Sequence, residues 1–200
     1  MLINFVEKVK GFITAPVITF QKSRDDTLTH ALAYFIVLLL ANAILTTILV
    51  IAALSIDGLF QAIPGLGLVF PILLFEYYFG GGISSVPGTV FVFLIAGGIA
   101  GVFIGSAWLH LFTWLLGGRK GYVQTLKSLI YGMTPSLLLG WIPYVSFIGP
   151  IWSFVLEILG IRELQEISAG KALTAVLVAI VTAGIIVTVI VAALLLSLIR

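Results

Sequence analysis

Apolar residues fill long blocks of this chain, and the polar positions between them are few enough to serve as landmarks. A bilayer core about 30 Å thick takes about 20 apolar residues of helix. Residues 31–56 meet that length and predict a first span, with Asn42 near its middle placed to bond a neighbouring helix. Residues 88–116 predict a second span, 122–139 a short third, 143–159 a fourth and 172–199 a fifth. Gly140 to Pro143 turns the third into the fourth, whose beginning Gly149 and Pro150 disturb. Gly160 suits a helix stop. Ile161, Leu164 and Ile167 then predict a small interfacial helix, and Ser168 can cap the fifth span.

The first thirty residues follow another rhythm. Leu2, Phe5, Val6, Val9, Phe12, Ile13, Pro16, Val17 and Phe20 recur at helical spacing, with Asn4, Glu7, Lys8 and Gly11 on the other side. Such a segment lies in the membrane interface rather than across it. Pro16 lacks an amide hydrogen and clashes with the preceding turn, which predicts a kink or break just before it. Asp25, Asp26 and Thr27 can cap the helix that follows. The chain therefore divides into an interfacial arm, 1–30, and a five-helix transmembrane domain, 31–200. Residues 57–87 are apolar but broken by Pro64, Gly65, Gly67, Pro71 and Gly80 to Gly82. An interfacial loop with short helices and a re-entrant hairpin both remain open there.

Composition settles the solvent. Residues are 61% hydrophobic and 9% charged, whereas a soluble domain carries about 25% charged residues. The expectation is an all-α integral membrane protein, multi-pass and in the cell membrane. A net charge of +2, widely spread, excludes a nucleic-acid stripe. The absence of cysteine removes disulfides, thiolate chemistry and Cys-based metal sites. No HExxH, P-loop, G-x-S-x-G or dinucleotide fingerprint occurs. Glu163 and Glu166 read as a solvated face. No catalytic residue, cofactor or metal site is expected, and the chain reads as a non-enzyme.

Charge also orients it. With the N-terminus in the cytoplasm, Lys8, Lys10, Lys22, Arg24, Arg119, Lys120, Arg162 and Lys171 lie inside and Arg200 outside, as the positive-inside rule prefers. The arm and the Arg119–Lys120 turn then act as topology anchors and meet anionic lipid.

Three ionisable residues fall inside or beside spans: His110, Lys127 and Glu157. Lys127 can snorkel to the interface or pair with Glu157; alternatively the three mark a proton or solute path. Gly97, Gly101 and Gly105 share a helix face that suits close helix packing or lines a pore. Two functions follow. One is membrane shaping, membrane organisation or the scaffolding of a protein partner; the other is a channel or small-solute transporter. The glycine face also suits a homo-oligomer.

An ordered set of residues adds a resemblance. Phe12, Pro16 and Phe20 precede "LTHALAYF"; then come Gly117–Gly118, Gly121–Tyr122, Thr125, Tyr131, Pro135, Ile142–Pro143, Ile151–Trp152, "GIRELQEIS" and Lys171–Ala172. This set resembles the Yip-domain family of Ypt/Rab-interacting membrane proteins, in its short prokaryotic branch. The resemblance implies five spans, a cytoplasmic N-terminus and an exterior C-terminus. Eukaryotic members are linked to vesicle trafficking, Rab-type GTPases and membrane shaping. The Asp-Leu-Tyr-Gly-Pro motif and long N-terminal region of many of them are missing here, so the resemblance implies a fold rather than Rab binding.

Overall fold

The computed structural model describes residues 4–55 and 85–198, and all its regular elements there are helices. They are α1 (Phe5–Thr14), α2 (Pro16–Lys22), α3 (Leu28–Ser55), α4 (Val86–Leu115), α5 (Tyr122–Gly132), α6 (Thr134–Leu139), α7 (Ile148–Gln165) and α8 (Ala169–Leu198). The expectations for 57–84 lie outside the described residues.

Among the described residues three helices, α3, α4 and α8, are long and apolar enough to cross a bilayer. They need no amphipathic stripe, since lipid accepts apolar side chains on every outer face. The expected third span is instead two helices. α5 ends at Gly132, and α6 begins with Pro135 in its first turn, where the missing amide hydrogen costs nothing. The expected stop at Gly160 does not occur. α7 runs through it to Gln165 and ends at Glu166 in the left-handed conformation, φ 54°. The small helix expected from Ile161 is the last part of α7. Gly160 serves packing: a Cβ there would stand 2.8 Å from the Phe20 ring. Gly149 and Pro150 fall in the first turn of α7, and Gly149 lets that turn meet the backbone of Pro135 and Ser136.

Contacts fix the directions. Along α5–α6 and α7, Thr125 meets Gln165, Gly132 meets Glu157 and Ser136 meets Ser153, so the two arms form an antiparallel hairpin. α3 runs parallel to α5–α6: Tyr34 bonds Thr134, and Asn42 donates to the carbonyl of Leu137 at 2.9 Å. That amide bond is the interhelical role expected of Asn42. It falls near the end of α6, where carbonyls lack helical partners. α4 lies antiparallel to α5, with His110 beside Thr125 and Gly105 beside Leu129. The close approach of α4 to α3 is at Gly98, where a Cβ would come within 2.6 Å of Leu39.

The chain breaks before Pro16 as expected: Ala15 leaves helical geometry, and α2 starts at the proline. α1 and α2 fold back on one end of the bundle. Phe12 and Phe20 are fully buried and share a core with Phe35, Leu126, Ile130 and Tyr131. A second core joins Leu109 and Ile161 to Ala172, Ala175 and Val176 of α8.

Candidate functional site

The end of the bundle that carries the arm holds a buried polar cluster. Lys8 sits one helical turn before Phe12 and so shares its inward face. Its ammonium donates to Asp26 at 2.5 Å, and both side chains are about 7% exposed. Tyr131 donates its hydroxyl to the same Asp26 oxygen at 2.6 Å. Lys127 donates to the carbonyls of Arg24, at 2.5 Å, and Asp26, at 3.1 Å. Around these charges lies an aromatic wall. Phe12 stacks on Tyr131 at 4.9 Å, Phe20 meets Phe12 edge-on at 4.8 Å, and Lys8 lies 5.0 Å from the Tyr131 ring centre. Burial pushes the Asp26 carboxyl up, but hydrogen bonds from Lys8 and Tyr131 and the charges of Lys8 and Lys127 outweigh it. The carboxyl is held below its ordinary value.

The last turn of α7 builds a second, connected cluster. Glu163 accepts from Gln21 at 2.9 Å, and its backbone carbonyl accepts from Arg24 at 2.7 Å. Gln165 is 2% exposed; it donates to Gly121 O and Thr125 and accepts from the Lys120 amide at 3.0 Å. Glu166 reaches Arg24 at 2.8 Å and Lys120 at 2.5 Å. The Lys120 hydrogen bond, with the charges of Lys120 and Arg24, holds the Glu166 carboxyl below its ordinary value against an opposing effect of desolvation. Arm, α4–α5 turn and α7 terminus thus lock together through these polar bonds.

The residues expected to form one intramembrane cluster separate. Lys127 belongs to the arm's cluster, and among the described residues no ion pair joins it to Glu157. His110 bonds Thr125 at 2.8 Å and lies beside the Tyr122 ring. Glu157 lies apart, against Gly132 and a groove bordered by Gly97, Gly101 and Gly105. Gly97 and Gly101 meet no neighbour within 4 Å of a Cβ position, and Gly105 only Leu129 at 3.5 Å; Gly98 makes the tight packing. Among the expected lipid anchors, Lys10, Lys22, Arg119 and Lys120 are exposed and Arg24 is half-buried. Lys8 is a correction: Asp26 draws it inward, away from lipid. Arg119 folds over Trp114 and donates to its carbonyl, closing the end of α4.

Two further corrections concern acids. Asp26 does not cap α3; Thr27 does, accepting from the His30 amide at 3.3 Å. Glu163 is 8% exposed rather than part of a solvated face, because Gln21 and Arg24 cover it. Lys8, Asp26, Tyr131 and Gln165 escaped sequence reasoning as a site. The four-residue step from Lys8 to Phe12 was the available signal for the first of them.

Among the described residues no group of three or more His, Asp or Glu is placed to hold a metal. The arrangement suits holding the arm against the bundle, since its charges meet one another and backbone carbonyls.

The chain matches the family model of the Yip1 domain over residues 10–191. No curated protein and no solved structure matches the chain. The matched residues run from α1 into α8 and take in both polar clusters except Lys8, and the chain belongs to the Yip1 domain family.

Proposed function

We propose that the protein is a non-enzymatic, multi-pass protein of the cell membrane that organises or shapes the bilayer through its α1–α2 arm. In this reading α3, α4, α5–α6, α7 and α8 make five crossings, with the N-terminus cytoplasmic and the C-terminus exterior. Alternating helix directions support the count, and the meeting of Arg24, Lys120 and Glu166 at one end supports the shared side of the arm and the α4–α5 turn.

The observation that carries the proposal is the arm's outer face. Its inner face is docked by Lys8, Phe12 and Phe20, yet Val6, Ile13 and Ile18 point outward, 68%, 38% and 55% exposed. Exposed Lys10 and Lys22 accompany them. Apolar side chains outside and lysines beside them are the arrangement of a helix seated in the headgroup region, and area added to one leaflet bends a bilayer. Each cation near an anionic surface adds about 1 kcal/mol of attraction. The test is reconstitution of the whole protein into anionic liposomes at rising protein-to-lipid ratio, with vesicle size read by electron microscopy. The wild type should narrow or tubulate the vesicles, and the Val6→Glu/Ile13→Glu/Ile18→Glu variant should leave them unchanged. Equal effects from both proteins would remove the arm from the mechanism.

A further inference from the structure

A groove of about 470 Å³ opens on α4, α5, α7 and α8, away from the arm. Its α4 wall is the glycine face, and the empty space beside Gly97 and Gly101 is the room a side chain would have filled. Glu157 of α7 borders this space. Its stem rests on Gly132, where a Cβ would come within 2.9 Å of its Cγ, so the glycine on α5 makes its seat. Glu157 is partly buried where it borders the groove, and no described residue donates to its carboxylate. One turn earlier, Ser153 Oγ accepts from the Ser136 hydroxyl at 2.8 Å and the Ser136 amide at 3.2 Å. The rest of the wall is largely apolar.

An ionisable side chain on a span, facing a largely apolar groove without a partner, is costly and marks a site by default. The volume and lining match a small-molecule pocket: an apolar body with a few convergent polar groups. Glycines let a flat or linear apolar chain lie against the α4 backbone. Glu157 then supplies the anion, and the hydroxyls of Ser136 and Ser153 lie along the same strip. Residues 56–84 contain no Lys, Arg or His, so that segment holds no cationic side chain to offer Glu157. We infer that the groove binds an amphiphile with a protonated primary amine, its ammonium on Glu157 and its apolar body along Gly97 and Gly101. This goes beyond the membrane-shaping reading and does not depend on the arm.

The full-length protein in nanodiscs provides the test. Dicyclohexylcarbodiimide, an apolar reagent for carboxyl groups, should label Glu157, as read by mass spectrometry. Dodecylamine should lower that labelling at least tenfold and saturably, whereas dodecanol at the same mole fraction should change it less than twofold. Dodecylamine should also raise the melting temperature of the wild type. That shift should be lost in Glu157→Gln and in Gly101→Leu, whose Cβ meets no neighbour within 4 Å. Failure of Glu157 to label, equal protection by amine and alcohol, or a thermal shift retained in Glu157→Gln would each overturn the assignment.

Discussion

Asp26 gathers three donors: Lys8 and Tyr131 on its side chain, and Lys127 on its backbone carbonyl. Removing one partner of a buried ion pair typically costs about 3–5 kcal/mol, because the other charge is left stranded. Asp26→Asn should therefore lower the melting temperature strongly, and Lys8→Met added to it should recover part of the loss. A double-mutant cycle by thermal unfolding in detergent measures both. The sign of the pH effect follows from the lowered carboxyl value. Above the ordinary carboxylate value of about 4 the group is charged in both states, and its stabilisation is fully present. As pH falls below about 4 the unfolded chain takes up the proton first, and that stabilisation is lost. Melting curves from pH 7 down to pH 3 should show a fall in the wild type that is smaller in Asp26→Asn. Glycines give a second test. Gly160→Ala places a methyl against Phe20 and Ser128, and over-packing of this kind costs about 1–3 kcal/mol. Gly101→Ala enters open space and should gain up to about 1 kcal/mol from helix propensity. Thermal unfolding of the two single variants separates them.

Among the elements, the arm is the one whose attachment is concentrated in few side chains. Phe12 and Phe20 are fully buried between it and the bundle. Phe→Ala in a core costs about 3–5 kcal/mol, so Phe20→Ala should undock α2. Limited proteolysis should then cut near Lys22 and Arg24 much faster than in the wild type, while the remaining helices stay intact. The long helices were legible because an apolar run of spanning length has few other uses: α3, α4 and α8 lie within a few residues of their expected bounds. The break before Pro16 was legible because proline acts through its own covalent structure. Gly160 was not, since a glycine that ends a helix and one that admits a phenylalanine ring look alike in sequence. The same limit applies to Lys8, Asp26 and Glu163. Their burial depends on partners 18 to 142 residues away, which no local pattern reveals. Glu157 and the glycine face were singled out in the sequence, but their meeting across a groove required the packing of α4, α5 and α7.

At the scale of the whole molecule, one end collects most of the positive charge. Lys8, Arg24, Lys120 and Lys127 all lie within the two linked clusters, with the Lys171 ammonium near Gly117. An excess of Lys and Arg marks the cytoplasmic side of a membrane protein. In the proposed topology this end faces the cytoplasm while the chain finishes outside. Because the natural sequence has no cysteine, single cysteines report without background. Lys120→Cys and Arg200→Cys, each treated in intact cells with a membrane-impermeant maleimide, test the claim directly. Cysteine 200 should label at once, and cysteine 120 only after the membrane is permeabilised. Labelling of cysteine 120 in intact cells, or identical behaviour of the two positions, would rule out this topology.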